Sequence, residues 1–119
     1  ARRVRKVFGG GMRQAGVIAA AGSYALDHHI NRLAEDHSHA RVLEQALLLH
    51  PEVDSVLPVE TNIILFNLKA GTTAAQFVEK LKEKGILCFT TGPQQVRWVL
   101  HLDISPAMVE RAVTILKTV

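Results

Sequence analysis

The chain is organised around the stretch Gly9-Gly10-Gly11-Met12-Arg13-Gln14-Ala15-Gly16. Glycine has no Cβ, so three glycines in a row predict a sharp turn or a close approach of the backbone to a ligand. Four cations precede them, in Arg2-Arg3-Val4-Arg5-Lys6, and small apolar residues follow, from Val17 to Leu26. This order predicts a basic segment, a turn and a helix buried on all sides. Together they form an arrangement that can bind an anion. A solvated basic end followed by an ordinary core helix fits the same residues.

The composition limits the classes of function. The chain has 119 residues, enough for one domain with its own core, and no apolar run reaches the length of a membrane span. The net charge of +3 is local, because the basic segment alone contributes four cations. The remaining ten Lys and Arg residues face eleven Asp and Glu residues, and aromatic residues make up only 5%. We therefore expect neither a nucleic-acid-binding surface nor a membrane protein.

The cysteine and histidine residues predict neither a disulfide nor a metal site. Cys88 is the only cysteine, which favours a reducing, cytoplasmic compartment. Its apolar neighbours predict a buried side chain rather than a nucleophile. The histidines between His28 and His50 include no pair at the i, i+4 spacing, so no metal centre is expected.

The hydrophobic pattern predicts an α+β fold with the element order α-α-β-β-α-β-β-α. Two N-terminal helices precede a small β-β-α-β-β-α layer. Thr72 or Thr73 is the expected cap of the third helix, and Ser105 that of the last, which Pro106 begins. The predicted helices are Met12–His28, Ile30–Leu49, Ala74–Lys84 and a last one after Ser105; the predicted strands are a short one at 53–57, Thr61–Leu68, Ile86–Thr90 and Val96–Leu102.

Arg97 is the first candidate binding residue. It lies in an apolar strand, whose alternation places Arg97, Val99 and His101 on one face and Trp98 and Leu100 on the other. A guanidinium group can bind a carboxylate through two parallel hydrogen bonds. An arginine on an edge strand that is simply solvated fits the same pattern.

Several segments resemble the later half of the low-specificity L-threonine aldolases. These are pyridoxal-phosphate enzymes with the aspartate-aminotransferase-like fold. The resemblance implies the C-terminal small domain of a fold-type-I enzyme that cleaves L-threonine or L-allo-threonine to glycine and acetaldehyde. It also implies a homo-oligomer, specifically a homotetramer. The segments that carry it are the basic segment, the stretch from Gly9 to Gly16, Ala25–His29, Arg32–His37, Ala40-Arg41, Glu60–Ile63, Val96-Arg97 and His101–Ser105.

The resemblance also implies roles for individual residues. It assigns Arg97 to the substrate α-carboxylate, and Arg13 and Lys6 to the vicinity of the cofactor phosphate. His101, which is predicted to share the face of Arg97, is a supporting candidate at the site. Asn62, at the start of an apolar strand, is the other supporting candidate or has a purely structural role.

The residue that would bind the cofactor covalently is missing. In the family, the Schiff-base lysine lies in a Ser-Lys-Gly loop, and no lysine of this chain has that context. We therefore expect the C-terminal part of an enzyme, inactive alone, in which residues 1–28 pack on a missing large domain and residues 29–119 form the small domain. Another β-eliminating lyase and a free-standing small-molecule-binding module remain alternatives; RNA binding through the basic segment is disfavoured by the acidic remainder.

Overall fold

Five helices and four strands follow one another in the computed structural model, which describes residues 1–119. The predicted α+β class and the order of the longer elements are confirmed, and a short helix is added in front. These elements fall into two units, Ala1–Arg32 and Leu33–Val119. The helices are α1 (Arg2–Val7), α2 (Ala15–His28), α3 (Leu33–Leu48), α4 (Ala74–Glu83) and α5 (Pro106–Leu116); the strands are β1 (Val53–Val56), β2 (Ile63–Leu68), β3 (Phe89–Thr90) and β4 (Gln95–Val99).

Two of the three glycines end α1 instead of beginning α2. Gly9 has a φ of +81°, and the N–H groups of Gly9 and Gly10 donate to the carbonyls of Lys6 at 3.0 Å and Arg5 at 2.8 Å. This is a Schellman ending, in which a left-handed glycine satisfies the last carbonyls of a helix. A Cβ on Gly10 would lie 2.9 Å from the Arg5 carbonyl oxygen, which is too close for any other residue. The glycines therefore stop the basic helix.

The apolar helix α2 begins at Ala15, later than predicted, because Gln14 adopts a left-handed conformation with a φ of 50°. No residue of α2 is buried. Large apolar side chains such as Ile18 and Leu26 are exposed, so nothing within this chain buries the helix, and its burial against a large domain stays a prediction. None of the helices is long and apolar enough to cross a membrane.

The four strands form one antiparallel sheet in the order β1-β2-β4-β3. Successive side chains of a strand point to opposite faces, so each strand divides its residues between a buried and an uncovered side. The buried side carries Ile64, Phe66 and Leu68 from β2 and Val96 and Trp98 from β4. We call the other side the open face; its central residues are Ile63, Leu65, Asn67, Gln95, Arg97 and Val99.

The core of the second unit lies between the buried side of the sheet and three helices. Four rings form a continuous line through it, each nearly perpendicular to the next. The centroid of Trp98 is 6.0 Å from that of Phe66, Phe66 is 5.9 Å from Phe77, and Phe77 is 5.3 Å from His50. The line joins β4, β2, α4 and the loop after α3. The helices add Ala40, Leu43 and Leu47 from α3, Ala74, Phe77 and Leu81 from α4, and Val109, Ala112 and Leu116 from α5.

The predicted helix caps are confirmed. Thr73 Oγ1 accepts the N–H of Gln76 at 3.3 Å, and Gln76 Oε1 accepts the N–H of Thr73 at 3.1 Å. This reciprocal pair is a capping box, which fixes the start of α4. Ser105 Oγ accepts the N–H of Met108 at 3.4 Å, and Pro106 is the first residue of α5.

Two predicted strands are shorter than expected. Only Phe89 and Thr90 of the predicted strand Ile86–Thr90 pair with β4. The strand predicted over Val96–Leu102 ends at Val99. Both differences concern the same end of the sheet. There, residues 86–88 of the edge do not pair with the residues that follow Arg97.

His50 is a buried titratable residue beside the core. It is 4% exposed, and its Nδ1 accepts the backbone N–H of Glu52 at 3.2 Å, while its Nε2 has no partner. Burial lowers the pKa of His50, and the nearby backbone of Val119 and the Glu52 carboxylate oppose this effect. Lys80 and Lys69 lower the pKa further. The folded chain therefore favours the neutral imidazole.

We expect the free energy of unfolding to fall between pH 7 and pH 5. The pKa of His50 is lower in the folded chain than in the unfolded chain, so the stabilisation is present above the unfolded value and is lost as the pH falls below it. The substitution His50→Asn, which keeps an acceptor near the Nδ1 position, should flatten this decline in urea unfolding. His28→Asn, on exposed α2, is the control. An unchanged pH dependence in His50→Asn would contradict the prediction.

Candidate functional site

Arg97 occupies the middle of an apolar rung on the open face. It pairs with Leu65 of β2 on one side and with Phe89 of β3 on the other, and directly paired residues project from the same face. Ile63 and Val99 form the next rung. The exposure of Arg97 and the burial of its neighbours on β4 confirm the predicted alternation.

The guanidinium of Arg97 has no hydrogen bond or ion pair within the chain. Its flanking side chains offer no carboxylate that could neutralise it. A guanidinium keeps its charge throughout the accessible pH range and binds carboxylates in two-point fashion. The open face therefore presents an unpaired cation on an apolar surface, which is suited to a carboxylate ligand.

A row of polar side chains crosses the open face beside the rung of Arg97. Asn67 Nδ2 donates to Ser55 Oγ at 3.1 Å, and Gln95 Nε2 donates to Asn67 Oδ1 at 3.1 Å. Thr91 Oγ1 donates to Gln95 Oε1 at 2.9 Å. These bonds link β1, β2, β4 and the turn before β4. The row fixes both amide groups and leaves Arg97 as the unpaired polar group of the central strands on this face.

Asn62 and His101 each form a hydrogen bond that does not involve Arg97. Asn62 Nδ2 donates to the carbonyl of Leu100 at 2.6 Å, which ties the start of β2 to the chain after β4. His101 follows the end of β4, so the strand pattern no longer places it on the face of Arg97. Its Nδ1 accepts the N–H of Asp103 at 3.3 Å, and its ring lines a cavity beside α5. The supporting roles of these two residues stay proposals.

Arg13 and Lys6 belong to the first unit, whereas Arg97 belongs to the second. Both cations are exposed and form no ion pair within the chain. Arg13 lies two residues before α2, and no side chain caps that helix. The N–H groups of an uncapped first turn attract anions. The donors of this segment therefore fit a phosphate group such as that of pyridoxal 5'-phosphate.

Cys88 is not suited to nucleophilic chemistry. Burial raises the pKa of the Cys88 thiol to about 11, and the indole N–H of Trp98 lowers it by less. The thiol is protonated at neutral pH, and a protonated thiol is a poor nucleophile. The interpretation of Cys88 as a small apolar residue is consistent with its half-buried position.

Comparison with known proteins shows the family of this chain. A family model described as beta-eliminating lyase matches residues 1–71, more than half of the chain. The chain belongs to the beta-eliminating lyase family. The matched region runs from α1 to the end of β2 and includes Lys6 and Arg13, while Arg97 lies beyond it.

Several relatives of this chain are named threonine aldolases. Low-specificity L-threonine aldolase 1 of Arabidopsis thaliana is 37% identical over 88% of this chain and 30% of its own length. The low specificity L-threonine aldolase of Escherichia coli (strain K12) is 40% identical over 87% of this chain and 29% of its own length. The chain thus spans about 30% of the length of the curated relatives it matches.

A solved structure shares the fold. Ornithine aminotransferase from Plasmodium yoelii superposes on 73% of this chain and 24% of its own chain, with a TM-score of 0.55 and 18% sequence identity. At this identity the likeness concerns the fold alone. Most of this chain therefore has a structural counterpart within a much larger chain.

The polar row is the feature of the open face that the sequence analysis missed. Asn67 and Gln95 stand at the same strand parity as Leu65 and Arg97, which is a signal that the sequence carries. The direct pairing of Asn67 with Gln95 depends on the register of β2 against β4. That register is a property of the folded sheet, so the row could not be derived from either strand alone.

Proposed function

We propose that the protein containing this chain is a pyridoxal-phosphate-dependent threonine aldolase. It cleaves L-threonine or L-allo-threonine to glycine and acetaldehyde by a retro-aldol reaction. The observation that carries the proposal is Arg97, an unpaired guanidinium in an apolar rung of the open face, in a chain with several relatives named threonine aldolase. Pyridoxal 5'-phosphate, when bound, supplies the electron sink for the charge left on Cα as the Cα–Cβ bond breaks.

Arg97 binds the substrate carboxylate and thereby sets the orientation of the bonds at Cα. Two parallel hydrogen bonds define the plane of the carboxylate as well as its position. Its direct neighbours across the sheet, Leu65 and Phe89, carry no charge that would compete for the carboxylate. The position and orientation of a bound substrate contribute a large part of the rate enhancement of an enzyme.

Arg13 and Lys6 neutralise the cofactor phosphate in this proposal. Their support is their exposure, their lack of ion pairs and the uncapped start of α2. The lysine that binds the cofactor and the base that removes the β-hydroxyl proton lie outside this chain. Residues 1–28 pack on the large domain that supplies these groups, which accounts for the exposed apolar side chains of α2. Residues 29–119 form the small domain.

We further propose that the whole enzyme is a cytoplasmic homotetramer. The single cysteine and the resemblance to threonine aldolases support this assignment. Exposed apolar side chains on α2, such as Val17 and Tyr24, are consistent with a covering surface on another domain or subunit.

The test is an assay of the whole protein with L-threonine and pyridoxal 5'-phosphate. We expect equimolar glycine and acetaldehyde, and no glycine from the 119-residue chain alone, since no lysine in it has the required context. The second candidate is another β-eliminating lyase, which the family description favours. Such an enzyme would form 2-oxobutanoate and ammonia from threonine. Formation of these products without glycine would overturn the aldolase proposal.

A further inference from the structure

A cavity of about 370 Å³ lies in the second unit, beside the last residues of β4. Its walls come from the buried side of β4, with Trp98 and Leu100, and from the inner side of α5, with Val109 and Ala112. Leu43 of α3 contributes to the same lining. Sites for small molecules commonly occupy roughly 300–1,000 Å³ and are lined mostly by apolar side chains. The cavity therefore has the size and the wall chemistry of a small-ligand site.

The cavity lies beside residues that were predicted to extend β3 at its start. Residues 86–88 are not paired with β4, although the sequence predicts a strand there. The gap lies between this segment and α5. At its rim Leu87 is 81% exposed and Met108 is 55% exposed. The cavity is thus open to the outside at an edge where apolar side chains remain uncovered.

Arg111 gives the cavity its polarity. One of its N–H groups donates to the carbonyl of Lys84 at 3.3 Å, and it forms no ion pair. Its other N–H groups are therefore available to a ligand. No aspartate or glutamate lines the cavity, and the other ionisable side chain in the lining is His101. An apolar space whose wall carries a guanidinium without an ion pair complements an apolar molecule that bears one carboxylate.

We propose that this cavity binds a small monocarboxylate with a branched or aromatic apolar body. The carboxylate contacts Arg111, and the apolar body lies against Trp98 and Ala112. The lining includes Val99 of the open face but not Arg97, and Arg97 and Trp98 point to opposite sides of β4. Arg111 and Arg97 are therefore separate candidate partners for a carboxylate. The proposal does not depend on the aldolase activity or on the cofactor.

Trp98 provides the measurement. It is the only tryptophan of the chain, it is 5% exposed, and it lines the cavity. We would titrate the full chain with 4-methylpentanoate and follow the tryptophan fluorescence. We expect a saturable change, and binding at least about tenfold weaker for 4-methylpentanamide, because the neutral amide cannot form a hydrogen bond in which both partners are charged. Acetate, which lacks the apolar body, should cause no saturable change.

Four variants locate the site. Arg111→Gln should weaken binding at least about tenfold, since it removes the charged partner. Glu110→Gln, a neighbouring change on α5, should leave the affinity unchanged, and so should Arg97→Gln on the open face. Met108→Glu places a negative charge at the rim, which repels the carboxylate of the ligand and should also weaken binding. This variant keeps the test informative if Arg111→Gln folds poorly.

Each opposite result overturns the proposal. Absence of a saturable signal up to about 10 mM ligand would mean that the cavity has no useful affinity. Equal binding of the acid and the amide would show that Arg111 does not recognise charge. Loss of the signal in Arg97→Gln, but not in Arg111→Gln, would place the carboxylate on the open face instead. Threonine cleavage is a separate measurement, so either proposal can fail alone.

Discussion

Arg97→Leu is expected to lower kcat/KM for L-threonine by roughly ten- to a hundredfold in the enzyme that contains this chain. In the role proposed for Arg97, the substitution removes a two-point, charge-assisted contact with the substrate carboxylate. Such hydrogen bonds contribute about 1.5–3 kcal/mol, and about 1.4 kcal/mol corresponds to a factor of ten. The loss falls on kcat as well as on KM, because the same contact orients the scissile bond in the transition state. Steady-state kinetics with L-threonine measures the effect.

Two control variants separate substrate binding from cofactor binding. Arg97→Leu should retain the cofactor nearly as well as the native enzyme, because the carboxylate belongs to the substrate. Arg13→Leu should show the opposite pattern, with weaker cofactor retention in a titration. Arg41→Leu, on an exposed position of α3, should change neither quantity. If Arg97→Leu keeps its full kcat/KM, the role of Arg97 is wrong.

Phe77→Ala is expected to destabilise the second unit by about 3–5 kcal/mol. Phe77 is completely buried and lies between the rings of Phe66 and His50. Its removal leaves a cavity at the junction of α4 with the sheet, and the surrounding rings cannot collapse into the space without losing their edge-to-face contacts. Because domains have only about 5–15 kcal/mol of net stability, the midpoint of urea unfolding should fall strongly.

Phe89→Ala is the matched control for this prediction. Phe89 is 72% exposed on the edge strand, so its truncation should change the free energy of unfolding by less than about 0.5 kcal/mol. Equal losses for the two phenylalanine variants would show that the ring line is not the centre of the core. Phe77→Leu, which keeps most of the volume, should fall between them.

Local signals were sufficient where a feature depends on a few neighbouring residues. The alternation around Arg97 and the caps at Thr73 and Ser105 were predicted from the sequence, and the structure confirms them. Each of these features depends on strand periodicity or on a side chain that bonds within its own turn.

Non-local features could not be predicted from the sequence. The strand expected over Ile86–Thr90 has suitable residues, yet only two of them pair with β4. How many residues of an edge strand form pairs depends on its register against the neighbouring strand, which the sequence of the edge strand does not contain. His101 was placed by extending the alternation of β4 past Val99, where the chain leaves the sheet. The composition of α2 predicts a buried helix, and no residue of α2 is buried in this chain. Composition does not indicate whether the surface that buries a helix belongs to the same chain.

The identity of the ligand at Arg97 is the central claim, and inhibition by a matched pair of compounds tests it most directly. Glycine carries a carboxylate where 2-aminoethanol carries a hydroxymethyl group. We would measure the inhibition constants of both against threonine cleavage in the native enzyme and in Arg97→Leu. The substitution should raise the constant for glycine at least about tenfold and change that for 2-aminoethanol by less than about twofold. An equal change for both compounds, or no change for glycine, would contradict the assignment of Arg97 to the carboxylate.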